Sequence, residues 1–226
     1  MANLSPRPHA DVSHRKATAR EHAKNARHAA YRGLVVEAAS EAFARDGVAA
    51  TKMEDLALAA GISLGTLYSV YKGKAEIIDA LHETRLREIH SASVEAEIAE
   101  SDPLEALVAG SRAYLAYFVA RPDYLRMYLD EGANWGVRRS MDRESRRAAV
   151  WNDGVSQLAA IFERGVAQGV FEPGNPDRLA RTMLAMQQVL LADWFEDGMT
   201  QPEPELMDEV EVLLRRAFCT PEWRAR

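Results

Sequence analysis

The segment from Ser63 to Lys74 carries the side chains of this sequence that are best suited to chemistry with a polyanion. Hydroxyl and phenol groups come first, two lysines follow, and no side chain between Leu56 and Tyr71 is charged. Hydroxyl groups can hydrogen-bond to base edges and phosphate oxygens, and lysines neutralise phosphate charge, whereas carboxylates on the same surface would be repelled. This composition therefore predicts contact with nucleic acid.

Two short helices joined by a tight turn should position these side chains. Thr51 can cap the first helix, with Glu54 completing a capping box three residues later. Gly61 ends that helix, because glycine readily adopts the left-handed conformation, and Ser63 can cap a second helix that runs to about Val70. The apolar face of the first helix consists of Met53, Leu56, Ala57 and Ala60. Such a helix-turn-helix places its second helix in the major groove of DNA, although an ordinary buried helical hairpin would show the same features.

The same segment resembles the DNA-binding signature of the TetR family of transcriptional repressors. The matching positions are Gly61-Ile62-Ser63-x-Gly65-Thr66-Leu67-Tyr68-x-x-Tyr71-x-x-Lys74, preceded by Phe43-x-x-x-Gly47, Ala50-Thr51 and Leu56-Ala57-x-x-Ala60-Gly61. The sequence departs from the family pattern at Lys52, where a small hydroxyl residue is usual, and at Gly73, where serine is usual. The resemblance covers roughly the first third of the chain. It implies a set of DNA-binding residues that comprises Thr51, Lys52, Ser63, Leu64, Gly65, Thr66, Tyr68, Ser69, Tyr71 and Lys74.

The charge of the chain is distributed unevenly along the sequence. A net charge of −6 would suit a DNA-binding protein poorly if it were spread evenly. Residues 1–32, however, carry seven basic and two acidic side chains, a net charge of +5, so the remaining 194 residues carry −11. A basic N-terminal arm and an acidic body predict that only one end of the molecule faces DNA. The arm itself could contact phosphates or the minor groove, or could remain a solvated tail.

Helical periodicity continues through the rest of the sequence, and no β-strand pattern is found. Pro103 and Pro176 each follow a break, at a position where proline suits the first turn of a helix. The sequence therefore predicts an all-α fold of about nine helices in two domains. We expect a flexible basic arm over residues 1–25, a three-helix DNA-binding domain over 26–73 and a larger helical domain for ligand binding and dimerisation over 74–226.

The composition is that of an ordinary globular protein, and it argues against several other classes of protein. No apolar run approaches the roughly 20 residues of a membrane span, and the N-terminus lacks the apolar core of a secretion signal. Cys219 is the only cysteine, so no internal disulfide can form, which fits a reducing compartment. We therefore expect a cytoplasmic protein without a membrane partner, a metal or a cofactor.

One helix-turn-helix contacts only a few base pairs, so we expect a homodimer on a palindromic site in double-stranded DNA. In TetR-like proteins, two long helices from each subunit form a four-helix interface. The last two long helices of this sequence offer broad apolar faces, and the interface candidates on them are Met186, Val189, Leu190, Trp194, Val210, Leu213 and Leu214. The same residues could instead close the core of the monomer.

Aromatic and methionine side chains concentrate between Tyr114 and Phe162. Large apolar side chains with polar tips can line a pocket for a mainly apolar ligand, and the resemblance to the TetR family implies such a pocket in this region. The ligand-binding candidates are Tyr114, Phe118, Tyr124, Met127, Tyr128, Trp135 and Trp151. Ordinary core packing is the alternative for any one of them.

Together these expectations describe a ligand-responsive regulator of transcription, most simply a repressor released from its operator by a small, largely apolar molecule. A ligand-independent DNA-binding protein is the alternative. An enzyme is not expected, because the sequence contains no H-E-x-x-H, no C-x-x-C and no glycine-rich phosphate loop.

Overall fold

The structure, a computed structural model, describes residues 8–130 and 146–225, and within them the side chains of residues 20–130 and 148–225. These described residues form ten α-helices and one isolated β-bridge, between Phe171 and Cys219, so the predicted all-α fold is confirmed. The helices are α1 (Pro8–Asp46), α2 (Met53–Ala59), α3 (Leu64–Val70), α4 (Lys74–Ile98), α5 (Pro103–Val119), α6 (Pro122–Asp130), α7 (Arg146–Ala167), α8 (Pro176–Glu196), α9 (Glu203–Phe218) and α10 (Pro221–Arg224).

The first helix begins at Pro8 rather than at Ala26, so residues 8–25 are helical where the sequence predicted a flexible arm. Proline suits the first turn of a helix, and neither proline nor glycine follows until Gly33. Alanine, arginine, lysine and glutamate, all strong helix formers, supply half of residues 8–25. Helix propensity therefore outweighs the low apolar content on which the prediction of an arm rested.

The chain divides into two compact units, Met1–Leu81 and His82–Arg226, and the boundary falls inside α4 rather than at residue 74. In the first unit, α1, α2 and α3 pack against one another. Their shared core contains Val35, Ala39, Phe43, Leu56, Ala57, Leu67, Val70 and Tyr71. Because each large apolar side chain removed from water contributes about 1.5–3 kcal/mol, this small core is what stabilises the helix-turn-helix.

In the second unit, α5 is buried along most of its length and packs against α6, α7, α8 and α9. The helices α7 and α8 form the other main pair. Asp102 and Asn175 cap α5 and α8 immediately before Pro103 and Pro176, so these two predicted helix starts are confirmed. The second unit is thus a bundle in which α5 lies at the centre.

Candidate functional site

A capping hydrogen bond fixes the start of the first helix of the helix-turn-helix, and a glycine allows the turn before the second. α2 begins after Lys52, whose backbone N–H donates to Oδ2 of Asp55 at 3.1 Å. The helix therefore starts one residue later than predicted, and Asp55 takes the place of Glu54 as the capping acid. Gly61 follows the end of α2 with a φ of +66°, in the left-handed region that favours glycine.

The second helix, α3, presents hydrogen-bonding side chains to solvent. Ser63 caps it as predicted: its Oγ accepts from the backbone N–H of Thr66 at 3.0 Å and lies 2.8 Å from Oγ1 of Thr66. Gly65, Tyr68 and Ser69 are exposed, Tyr68 to 50%. The hydroxyl of Ser69 donates to the carbonyl of Thr66 at 2.6 Å, which directs it along the helix. This surface carries no carboxylate, and it therefore suits a groove lined by phosphates.

Thr51 and Tyr71, two of the predicted DNA-binding residues, are buried. The hydroxyl of Thr51 donates to the carbonyl of Gly47 at 2.8 Å, so it does not cap α2. The ring of Tyr71 lies under the guanidinium of Arg32, 4.2 Å from the ring centroid, and its hydroxyl donates to the carbonyl of Arg32 at 3.3 Å. Both residues therefore stabilise the packing of the unit, and the DNA contact predicted for their side chains is corrected.

Lys74 is also engaged within the first unit. Its ammonium group donates to three backbone carbonyls, those of Val48 at 2.8 Å, Ala49 at 3.3 Å and Thr51 at 2.9 Å. An ammonium group has three donors, so all of them are used inside the protein. Lys74 thus joins the start of α4 to the turn between α1 and α2, and its contact with phosphate stays a prediction.

Two other lysines flank the helix-turn-helix and are exposed. Lys52 precedes α2, and Lys72 follows α3 with its side chain 90% exposed. The Nζ atom of Lys72 lies 3.8 Å from a carboxylate oxygen of Glu76, a separation at which an exposed ion pair contributes little. Leu64, the remaining predicted contact residue, is half-buried at the start of α3.

A basic stripe runs along the N-terminal half of α1. Arg20, Lys24 and Arg27 are exposed, and their spacing of four and three residues places them on one face of the helix. The sequence identified these residues as basic. Their alignment on one face follows only from the helical conformation that the structure shows for this region.

Residues 61–65 also have the G-x-S-x-G spacing of the nucleophile elbow in α/β-hydrolases. That elbow places its serine between a strand and a helix, within reach of a histidine base. Here Ser63 lies between two helices, and its Oγ is hydrogen-bonded to Thr66. The serine is therefore a helix cap, and the arrangement does not fit a hydrolase site.

The second unit contains a partly open cavity of about 60 Å³, lined by residues of α4, α5, α7 and α8. This volume is several times the ~10–15 Å³ that one water molecule needs. Its apolar lining includes Leu86, Ile89, Val150, Leu158, Met183 and Leu184. Two of the predicted ligand-binding residues, Tyr114 and Trp151, line this cavity.

Four other predicted ligand-binding residues belong to the buried core and do not line the cavity. Phe118 stacks on Tyr124 with ring centroids 5.8 Å apart, and Nε2 of Gln188 donates to the hydroxyl of Tyr128 at 2.7 Å. Met127 is buried as well. These four side chains pack in the core, which was the alternative left open for each of them, and ligand contact by them stays a prediction. Trp135, the seventh candidate, lies outside the described residues.

Polar side chains that sequence reasoning missed also line the cavity. Glu97 is 7% exposed and Gln187 is 1% exposed. Helical spacing offered a signal for Glu97, because Leu86, His90, Ser93 and Glu97 recur every three or four residues along one face of α4. For Gln187 the only signal was its place within the apolar stripe of α8.

The cavity is an unfavourable environment for both the Glu97 carboxylate and the Gln187 amide. Burial raises the pKa of the Glu97 carboxyl to about 7, and the positive charge of Arg164 opposes this shift. Neither Nε2 nor Oε1 of Gln187 has a hydrogen-bond partner among the described residues. An unsatisfied buried amide costs on the order of 1–3 kcal/mol, so the side chain is poised to bind a group that enters the cavity.

Four of the seven residues predicted for a dimer interface are buried within one chain, namely Leu190, Trp194, Val210 and Leu214. The indole N–H of Trp194 donates to the carbonyl of Gln201 at 3.0 Å. These four close the core of the second unit, which was the alternative left open. Val189 is 59% exposed, and Met186 and Leu213 are partly buried. The last three therefore stay predictions for the interface.

Comparisons with known proteins agree with this geometry. The family model described as "Bacterial regulatory proteins, tetR family" matches residues 35–81. YhgD of Bacillus subtilis, an uncharacterized HTH-type transcriptional regulator, is 27% identical over 164 residues, covering 71% of this chain and 82% of YhgD. The HTH-type transcriptional repressor KstR2 of Mycobacterium tuberculosis is 28% identical over 174 residues, covering 74% of this chain and 82% of KstR2. The solved structure of Bacillus subtilis FadR in complex with stearoyl-CoA shares the fold, with a TM-score of 0.68 and 19% identity over 80% of this chain and 96% of that one.

An exposed recognition helix held by the helix-turn-helix, together with these matches, defines a DNA-binding regulator of transcription. Residues 35–81 match the TetR family of bacterial regulatory proteins, and over most of its length the chain is similar to HTH-type transcriptional regulators. Within the part of the chain that the structure describes, no helix combines the length and apolar character needed to cross a membrane. The described residues also contain no group of three or more histidine, cysteine, aspartate or glutamate side chains that could hold a metal ion.

We predict different effects of replacing the two lysines that flank Gly73. Lys74→Ala removes the partner of three carbonyls and should lower the free energy of unfolding by about 1–3 kcal/mol. Lys72→Ala should leave stability nearly unchanged and reduce the slope of log binding constant against log salt by about 0.9 for each bound protomer, the value for one phosphate contact. Urea unfolding and DNA titrations at several salt concentrations measure both. A Lys74→Ala variant of unchanged stability with a reduced salt slope would show that Lys74 contacts phosphate.

A second prediction concerns Glu97 and pH. Because the raised pKa favours the protonated carboxyl in the folded chain, the free energy of unfolding should fall as pH rises from the ordinary pKa of 4.5 to about 7. Glu97→Gln removes this fall, so the variant should gain stability over the wild type through that window, by about 2 kcal/mol at pH 8. Urea unfolding at a series of pH values measures the gain. Glu95→Gln, an exposed change on the same helix that keeps Glu97, is the control and should lose stability through that window as the wild type does.

Proposed function

We propose that this protein is a ligand-responsive transcriptional repressor of the bacterial cytoplasm. In this proposal a homodimer binds a palindromic operator through α3, and a small, largely apolar effector bound in the second unit releases it. The observation that carries the proposal is the exposed, carboxylate-free surface of α3, which offers Gly65, Tyr68 and Ser69 to a groove.

DNA binding would combine two kinds of contact. Side chains on α3 would read base edges, with Ser69 and Thr66 the candidates for sequence preference. Cations at Lys52, Lys72 and the basic stripe of α1 would neutralise phosphates without reading sequence. This division would explain how a chain with a net charge of −6 can bind DNA. The exposed cations of the first unit precede and follow α3 in the sequence.

Dimerisation would use the outward face of α8. Ala185, Met186, Val189 and Ala192 are exposed or partly buried, and they recur at helical spacing on this face. Small residues beside a valine and a methionine allow two helices to approach closely. The interface would therefore be centred on Val189 of α8, with Leu213 of α9 as a further candidate, and the buried residues of both helices would support it from within each protomer.

The effector would occupy the cavity lined by Tyr114 and Trp151. Its largely apolar lining, with a few polar groups, is typical of small-molecule sites. The solved complex of FadR with stearoyl-CoA supports the proposal that a protein of this fold can hold a mainly apolar molecule. Release from DNA requires that the effector bind the released state more tightly, because equal affinity for both states shifts nothing.

Selection of bound sequences from a pool of random DNA duplexes tests the reading function. We expect enrichment of an inverted repeat whose half-sites are centred about one helical turn, or a multiple of it, apart. Ser69→Ala should change the enriched bases, whereas Lys72→Ala should weaken binding to enriched and random duplexes alike. Enrichment of no sequence would overturn the proposal. A thermal-shift screen then identifies stabilising compounds, and a compound that stabilises the protein without releasing the enriched duplex would favour a ligand-independent DNA-binding protein.

The dimer interface is tested by Val189→Asp. A carboxylate at the centre of an apolar interface would have to be desolvated, so the dissociation constant should rise by roughly tenfold or more. Sedimentation velocity over a concentration series measures this change. Ile98→Asp replaces an exposed apolar residue on another helix of the chain and serves as the control. Equal dimer affinity of both variants would exclude this face of α8.

A further inference from the structure

The cavity of the second unit presents an acidic side chain to a ligand. Glu97 is its one carboxylate, and neither lysine nor arginine occurs among the described residues of its lining. No hydrogen bond to the Glu97 carboxyl group contributes to its pKa among the described residues. Arg164 on α7 acts on it only through its charge, and His90 on α4 is the other titratable side chain of the lining apart from Tyr114. A ligand that enters this space therefore meets one carboxyl group and no lysine or arginine side chain among the described residues of the lining.

The backbone of α5 is shaped around this carboxylate. A Cβ atom added to Gly110 would lie 2.5 Å from Oε1 of Glu97 and 2.7 Å from its Cγ. Such distances are far inside van der Waals contact, so a side chain at this position would displace the Glu97 side chain from the place it occupies. Glycine within a helix costs about 0.5–1 kcal/mol relative to alanine. Gly110 therefore lowers the stability of α5 at the point where the Glu97 side chain packs against it.

Gln187 supplies an independent sign that the cavity is incomplete without a ligand. Its side chain is almost fully buried on α8, yet both its amide nitrogen and its amide oxygen lack partners among the described residues. The nearby Gln188, by contrast, donates to the hydroxyl of Tyr128. Buried amides in folded proteins are nearly always hydrogen-bonded, so Gln187 is suited to bind a polar group that the ligand brings.

We infer that the effector is a mainly apolar molecule with a protonated amine, whose ammonium hydrogens are donated to the Glu97 carboxylate and to the amide oxygen of Gln187. This inference rests on the proposed function, because it names the chemical class of the effector for the same cavity. The apolar lining holds the hydrocarbon part, and the aromatic ring of Trp151 adds a surface that attracts cations. An anionic headgroup would face Glu97 instead, so the effector differs in charge from the stearoyl-CoA found in FadR.

Three probes of equal chain length separate charge from apolar burial. Octylamine, octanol and octanoate are titrated into the full-length protein by calorimetry at about pH 8, where Glu97 is mainly ionised and the amine is protonated. We expect octylamine to bind roughly tenfold or more tightly than either other probe, the effect of one charge-assisted hydrogen bond. Glu97→Gln should abolish this preference. Glu95→Gln, an exposed change of equal charge two residues away on α4, should retain it.

Gly110→Ala is a second variant that keeps the charge and displaces the carboxyl group. It should reduce the affinity for octylamine more than the affinity for octanol. Octanoate binding as tightly as octylamine, or an amine preference that survives both Glu97→Gln and Gly110→Ala, would overturn the inference while leaving an effector site in this cavity. Failure of all three probes to bind would instead count against the cavity as an effector site, and hence against the proposed function itself.

Discussion

The ammonium group of Lys74 is the partner of three backbone carbonyls in the turn between α1 and α2, and the geometry of the DNA-binding unit depends on it. A turn of this kind leaves carbonyls that no helix can satisfy. One lysine at the start of α4 satisfies them together. Because α2 begins directly after this turn, the same three bonds help to set where α3 lies on the unit.

The buried polar groups of the two units differ in whether their hydrogen bonds are satisfied. In the first unit, the buried hydroxyls of Thr51 and Tyr71 both donate to main-chain carbonyls. In the second unit, the amide of Gln187 has no such partner, and the carboxyl of Glu97 is held at a pKa that burial has raised. A group whose hydrogen bonds are complete stabilises the fold, whereas a group left incomplete in a cavity is available to a ligand.

Local sequence rules predicted those features whose causes lie within a few residues. The cap at Ser63, the break at Gly61 and the proline-led starts of α5 and α8 follow from such rules, and the structure has each of them. Thr51 was misassigned because its hydroxyl reaches Gly47 behind it instead of the helix ahead. Both partners lie within four residues of Thr51, and only the path of the chain decides between them.

The ligand-binding candidates and residues 8–25 show which features the sequence did not predict. The concentration of aromatic residues indicated the unit that contains the cavity but not the residues that line it. Helical periodicity assigns a residue to a buried face. It does not say whether that face contacts another side chain or the cavity. Phe118 and Tyr124 meet each other, while Tyr114 meets the cavity. For residues 8–25, low apolar content indicated an arm, although an exposed helix needs propensity rather than apolar residues.

The close approach of Gly110 to Glu97 also has a consequence for how such a cavity can diverge. A side chain at position 110 and the Glu97 side chain in its present position would occupy the same space, so a change at the glycine forces the acid to move. A mutation at the glycine is therefore better tolerated after the acid has been lost or shortened, whereas the acid can be lost first without steric conflict. Divergence away from an acidic cavity therefore favours a first step at position 97 on α4, and its reversal favours a first step at position 110 on α5.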